Sequence, residues 1–190
     1  MIYHWNDYAF RAGGTVLVDA NIWVKAFPVM ANPDAENPYA KFLERLVAEG
    51  VTIALDVIVT GEFVHTFVRI EHERHNQLLQ KQGAKGVQFK EYRRSESYGK
   101  AISEARFQLE QILSLPNVKR VDHPFSQVDE KRVFDLLCKG EIDWNDLMLL
   151  EEGRVRHWVI ASNDTDFVSA DVDVVTDNPK LLELAEQQVP

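Results

Sequence analysis

Cysteine is nearly absent from the chain. Cys138 is the single one in 190 residues, so no internal disulfide can form, and a lone thiol on the apolar side of a helix reads as an ordinary buried residue. Long apolar runs are missing as well: none approaches the roughly 20 residues that span a bilayer. The opening MIYHWNDYAF has no basic start followed by an apolar stretch, which excludes a secretion signal there. These absences together imply a reducing, cytoplasmic setting without membrane association. Positive charge is scarce too. The formal net charge is −9, which argues against holding a polyanion by bulk attraction. The deficit is uneven, however. Over residues 65–106 nine Lys and Arg face five Glu, a net of +4, which leaves −13 on the rest of the chain. Such a stretch reads first as a solvated helical pair and second as a surface able to touch phosphates.

Hydrophobic residues make up 45% of the sequence, enough for one globular domain spanning 1–190 with a sizeable core. Four short, mostly β-branched runs read as buried strands: 15–19 (TVLVD), 51–56 (VTIALD), 158–161 (WVIA) and 172–176 (VDVVT), with 118–121 (VKRV) as a candidate fifth. Helical patterns lie between them. Asn37 caps and Pro38 opens one that Gly50 closes. Residues 57–75 place Val59, Phe63, Phe67 and Ile70 on one stripe, and 85–115 is largely helical and basic. Ser126 and Asp129 suggest a capping box for a helix over 127–139. Residues 145–157 form another helix, and a last one runs from Pro179 to about Gln188. Gln82 to Lys85 (QGAK) reads as the mobile loop. Strands alternating with helices imply a three-layer α/β/α sandwich around a mainly parallel sheet of 4–5 strands. In such sheets, ligands bind beyond the carboxyl ends of the strands.

Acidic residues sit at those ends. Asp19 closes the first strand in VLVDANIW, and Asp164 follows WVIA by two residues in IASNDTDF, with Asp166 beside it. Asp146 lies near the start of the helix NDLMLL. Glu62 lies off the apolar stripe of its own helix, on the side of Thr66 and Arg69. Each acid has an ordinary structural explanation: a cap for Asp19, a dipole complement for Asp146, a surface pair with Arg69 for Glu62, and turn residues for Asp164 and Asp166. Taken together they imply convergence. Two carboxylates about 4 Å apart repel by roughly 4 kcal/mol at an effective dielectric of 20. A group of them needs either protons or a hard divalent cation such as Mg²⁺ or Mn²⁺. That cation would also draw phosphodiesters to an acidic protein.

The ordered set VLVDANIW, VIVTGEFVHTFVR, NDLMLL and VIASNDTDF resembles the PIN-domain nucleases, in particular the VapC-like toxins of bacterial toxin–antitoxin pairs, from about Thr15 to Thr176. The resemblance implies a Mg²⁺- or Mn²⁺-dependent endoribonuclease that hydrolyses RNA phosphodiesters, the toxin of a type II pair among the enzymes of this kind. It makes Asp19, Glu62, Asp146 and Asp164 the catalytic carboxylates, with Asp19, Asp146, Asp164 and the accessory Asp166 as metal ligands. Asn21 and Ser162 take the positions of small polar residues that orient an acid or a water. An RNA substrate, an antitoxin protein and a homodimer are the partners implied. Arg69, Lys90, Arg93 and Arg94 are candidates for holding substrate phosphates. Two departures stand out: an aromatic N-terminal extension over 1–14, with Tyr3, His4 and Trp5, and an extended helical region over about 65–115. Both leave open a related nuclease acting on structured DNA or RNA in repair or processing, and a PIN-fold interaction module without catalysis. The RNA target, one metal or two, and the antitoxin's identity lie beyond the sequence.

Other patterns carry less. His65, His72 and His75 share a helix face, which reads as solvated because no further His or Cys completes a site. Asp19-Ala20-Asn21 also resembles the start of haloacid-dehalogenase phosphatases. That motif needs a second Asp where Asn21 stands.

Overall fold

A computed structural model describes residues 1–28, 36–140 and 142–187. One sheet of six strands organises them, in the order β1-β6-β5-β2-β3-β4. The strands are β1 (Ile2–His4), β2 (Thr15–Val18), β3 (Thr52–Leu55), β4 (Val118–Arg120), β5 (Val159–Ala161) and β6 (Val174–Thr176). Every pairing is parallel. Parallel strands need crossovers, and helices supply them: α1 (Ala20–Ala26), α2 (Pro38–Ala48), α3 (Val57–Lys81), α4 (Phe89–Tyr92), α5 (Glu96–Ser114), α6 (Glu130–Leu137), α7 (Trp144–Arg156) and α8 (Pro179–Gln187). Short 3₁₀ turns lie at Phe125–Gln127 and Thr165–Ser169. No helix among the described residues is long and apolar enough to cross a membrane.

The central strands β2, β3 and β5 bury Leu17, Val18, Ile53, Ala54, Ile160 and Ala161 completely or nearly so, as expected of strands covered on both faces. Helix α7 lies close on β5 because Gly153 leaves room there. A Cβ at that position would stand 3.0 Å from Ile160 Cδ1. Asn37 caps α2 as its sequence suggests, its Oδ1 accepting from the amides of Tyr39 and Ala40 at 3.0 and 3.2 Å.

Several expectations need correction. The sheet has six strands, because the N-terminal segment is an edge strand rather than an appendage. Residues Ile2, Tyr3 and His4 pair with Val174, Val175 and Thr176. Trp5 is buried and stacks on Phe42 with ring centroids 4.5 Å apart, and Arg45 donates to the carbonyls of Trp5 and Tyr8. Cys138 is exposed, not buried, since α6 ends at Leu137 and buries only Val133. Asp129 caps that helix, accepting from the amide of Arg132 at 3.1 Å, while Ser126 belongs to the preceding 3₁₀ turn. Helix α3 continues to Lys81, and its buried stripe is Val59, Phe63, Phe67 and Val68, with Ile70 exposed. The basic region is two helices, α4 and α5, not one. Helix α7 begins at Trp144 with Asp143 as its cap. Helix α8 is described to Gln187; Gln188 lies outside the described residues.

The histidine face of α3 is solvated only in part: His65 is exposed, while His72 and His75 are half-buried. His72 Nε2 lies 2.8 Å from the Val87 carbonyl, and the imidazoles of His72 and His75 stack against Tyr92, with Phe89 against His65 and His72. Helix α4 is docked on that face, and Tyr92, Val68 and Ala101 form a small second core beneath it.

Candidate functional site

The sheet order reverses at β2. From β2 the chain builds outward through β3 and β4 on one side, and through β5, β6 and β1 on the other. Such a switch point opens a crevice at the carboxyl ends of the two strands that flank it. Val18 of β2 pairs with Ala161 of β5, and the amide of Asp19 extends the ladder to the Ala161 carbonyl at 2.9 Å. This register brings Asp19 and Ser162 face to face.

Asp19 stands at the N-cap of α1, but its side chain makes no capping hydrogen bond. Its Oδ2 instead accepts from Ser162 Oγ at 2.6 Å and from Asn21 Nδ2 at 2.5 Å. Ser162 Oγ in turn accepts from Asn21 Nδ2 at 3.1 Å and from the amide of Asp164 at 3.0 Å. Asp164 Oδ1 caps the following turn by accepting from the amide of Asp166 at 3.0 Å. Asn163 ties this corner to its surroundings. Its Oδ1 accepts from Thr176 Oγ1 and from the amide of Asp177, and its Nδ2 donates to Tyr39 Oη. The two acids of IASNDTDF are therefore held by hydrogen bonds from side chains and backbone alike.

Glu62 and Asp146 approach the same edge from α3 and α7. Burial pushes the Glu62 carboxyl up to about 7, with the charges of Asp19, Asp143 and Asp164 adding to the effect, and its Oε2 is buried without a hydrogen-bond partner. Burial pushes Asp146 up to about 8, helped by Asp19, Asp143, Asp164 and Glu62. Asp19 is raised chiefly by burial, against the hydrogen bond from Ser162. Asp166 is exposed; burial and the charges of Asp164 and Asp143 raise it. Asp143 is an acid of this edge that the sequence reading passed over. Asp-x-x-Asp at a helix start reads as capping and dipole chemistry, and Asp143 does cap α7, accepting from the amide of Asp146 at 3.1 Å.

The acids thus share one electrostatic neighbourhood without being clenched. No three of them bring ligand atoms within 4.8 Å of one another; among the described residues the group that does is Asp56, His123 and Glu152. A Mg²⁺ ion with ligands at about 2.1 Å takes one or two carboxylates and fills its other positions with water and phosphate oxygens. An all-oxygen donor set, an orphaned buried Glu62 oxygen and the raised carboxyls of Asp19, Glu62 and Asp146 fit a divalent cation of that kind. Of the candidate phosphate ligands, Arg69 lies over the Phe89 ring at 3.9 Å and donates to His65, while Lys90, Arg93 and Arg94 are exposed on and beside α4.

Raised carboxyl pKa values fix the sign of the pH dependence. The folded chain holds protons on Glu62 and Asp146 that the unfolded chain releases near pH 4. That stabilisation is complete below pH 4 and is lost as the pH climbs through about 7 to 8. Glu152, raised to about 8, acts with the same sign. In chelator, the Tm is expected to fall as pH is raised from about 5 to about 8, and Asp146→Asn to flatten the fall. A Tm that rises over this window would contradict the clustering of these acids.

No family model and no curated protein matches the chain. Solved structures do. A chain of VapBC2 from Rickettsia felis, bound to a DNA fragment from the promoter, superposes with a TM-score of 0.54 at 19% identity, covering 85% of this chain and 98% of that one. A chain of FitAB bound to the IR36 DNA fragment gives a TM-score of 0.47 at 16% identity, covering 85% of this chain and 94% of that one. The fold is thus PIN-like, one parallel α/β sheet flanked by helices.

Proposed function

We propose that the chain is a divalent-metal-dependent endoribonuclease of the PIN type, the toxin of a toxin–antitoxin pair. What supports the reading is the electrostatic neighbourhood at the switch point of a PIN-like sheet, where the charges of Asp19 and Asp164 raise the proton affinity of Glu62 and Asp146. Asp19, Asp146 and Asp164 hold Mg²⁺ or Mn²⁺, with Asp166 at the rim. When bound, the ion supplies water activation and neutralises charge on the leaving oxygen. Ser162 and Asn21 fix the Asp19 carboxylate so that its free oxygen keeps one direction. Glu62, whose carboxyl is raised by burial to about 7 before any ion binds, is the group to take up or release a proton. Exposed Lys90, Arg93 and Arg94 meet the phosphates of an RNA strand, whose single-strandedness suits an open edge rather than a deep pocket. The likeness to a chain of VapBC2, a complex bound to promoter DNA, supports an antitoxin partner. That partner covers the acidic edge, and two copies of the chain pair within the complex.

The test is cleavage of matched single-stranded RNA and DNA with Mn²⁺, Mg²⁺ or EDTA. RNA cleavage that disappears in EDTA is the expected outcome. Cleavage of DNA alone would replace the ribonuclease reading with a repair or processing nuclease, and cleavage of neither would overturn catalysis. The same ions are expected to raise the Tm, because they relieve repulsion that exists only in the folded site. At a free concentration of 100 Kd the linkage is about 2.7 kcal/mol, or roughly 5–10 °C for a chain of this size.

A further inference from the structure

We propose that Asp56, His123 and Glu152 form a second divalent-cation site, of the zinc or manganese class, that clamps α3 to α7 behind the acidic edge. The proposal stands apart from the nuclease reading and uses none of its residues. Asp56 ends the β3 segment and caps α3, His123 lies in the loop after β4, and Glu152 is in the third turn of α7. Each contributes one ligand atom to a set that lies within 4.8 Å.

Burial makes the cluster more than a patch of acids. Asp56 is 1% exposed and Glu152 0%. Asp56 Oδ1 is committed to the cap, accepting from the amide of Val59 at 2.7 Å. Its Oδ2 and both Glu152 oxygens are buried and accept no hydrogen bond. Arg156 does not resolve this. Its Nε stands 3.3 Å from Glu152 Oε1 without hydrogen-bond geometry and is itself unpartnered. Its Nη2 donates to the Asp122 carbonyl, and the guanidinium lies over the Trp158 ring. Arg156 thus half-engages Glu152 alone, and buried carboxylates persist only with a counter-ion or a proton.

His123 decides for a metal. Its Nε2 stands 3.2 Å from the Met148 carbonyl. A carbonyl can only accept, so Nε2 carries the hydrogen of this bond and Nδ1 is the nitrogen left to face a ligand, the usual support of a metal-binding imidazole. Two carboxylates and one imidazole, with water completing the shell, suit Zn²⁺ or Mn²⁺ and not Ca²⁺ or Mg²⁺, which seek all-oxygen shells. A cleft of about 490 Å³, lined by Asp56, Thr60, Arg120 and Asp122 among others, gives the ion a way in.

The position gives the site a purpose. Asp56 precedes Glu62 by six residues, and Glu152 follows Asp146 by six, about 9 Å along each helix. Where their side chains meet, α3 and α7 therefore run in opposite senses, joined by the proposed ion at one level and by the acidic edge at the next. A cation between Asp56 and Glu152 would set the spacing at which Glu62 and Asp146 face one another.

The experiment is titration of the metal-stripped chain with Co²⁺, read by its visible absorption, then displacement by Zn²⁺, with Mg²⁺ in excess throughout to fill the edge. One equivalent of Co²⁺ with a low-coordinate spectrum is expected, displaced by Zn²⁺ and retained in the Asp19→Asn/Asp164→Asn double variant. His123→Leu and Asp56→Asn should each weaken it at least about tenfold. Asp56→Asn keeps the capping oxygen, so it decides the matter if His123→Leu does not fold. Absence of stoichiometric binding, binding untouched by these variants, or binding lost in the double variant would each overturn the site. So would a Glu152→Gln variant that is more stable than the parent while the parent shows no response to Zn²⁺, the signature of a shared proton.

Discussion

On the proposed reading, Asp164→Asn and Asp19→Asn are each expected to lower metal-dependent RNA cleavage by at least about 100-fold while the chain stays folded. Neither change removes a hydrogen bond the fold depends on. At 164 an amide oxygen still accepts from the amide of Asp166, as the carboxylate does at 3.0 Å. At 19 an amide oxygen still accepts from Ser162, as the carboxylate does at 2.6 Å. What disappears is one of the negative charges that raise the proton affinity of Glu62 and Asp146. In chelator both variants are therefore expected to melt at or above the parent's Tm, and to lose most of the rise that Mg²⁺ or Mn²⁺ produces. Stability gained with activity lost is the mark of groups kept for chemistry rather than for folding. A parent-like cleavage rate in either variant would remove these acids from the site, and a collapsed Tm would make them structural.

Glu151→Ala is expected to lower the unfolding free energy by about 3 kcal/mol, or roughly 6–12 °C in Tm, read as a shift of the urea midpoint at constant slope. Glu151 is fully buried. It accepts from Arg132 Nε at 2.7 Å and from Arg154 Nη2 at 2.5 Å, and Arg132 also donates to Asp171 at 2.9 Å. One carboxylate thus ties α6 to α7, and Arg132 carries the tie on to the segment leading into β6. Removing it leaves two guanidiniums around a hole. Because both arginines are partly exposed, they can regain water, which sets the effect at the lower end of the buried range. Glu151→Gln keeps the shape and loses the charge, so about half the effect is expected. A change below 1 kcal/mol would show that the arginines, not the glutamate, hold this junction.

The central strands were legible because their pattern records burial on both faces, and β2, β3 and β5 lie within a residue or two of the runs that announce them. Asp19 and Asp164 were legible as strand-end acids because each follows an apolar run within a few residues, and β2 and β5 end just before them. The misreadings share a cause in contacts distant along the chain. Ile2, Tyr3 and His4 carry no strand pattern; β6 makes them a strand. Val68, rather than Ile70, is buried because α4 and α5 cover that side of α3, and nothing within α3 announces the cover. Cys138 looked apolar by its neighbours, but α6 stops one residue short of it. Asp143 was hidden by a second role, since a cap accounts for it locally. Asp56, His123 and Glu152 lie on three separate elements, and only the fold shows that they meet.

The bond from Ser162 Oγ to Asp19 joins residues 143 apart in sequence, and this bears on how the protein is made. Contacts of such long range form late and slow folding. A nascent chain ending before β5 holds only β2, β3 and β4 of the mutually paired strands, and β1 has no partner until β6 arrives. Asp19, Glu62 and Asp146 would by then have emerged, but the strand that seats Asp164 against them would not. On the proposed reading, a ribonuclease translated in the same compartment as its substrate stays harmless until β5 and the Asp164 segment leave the ribosome, when a partner waiting at the exit can meet the edge as it forms.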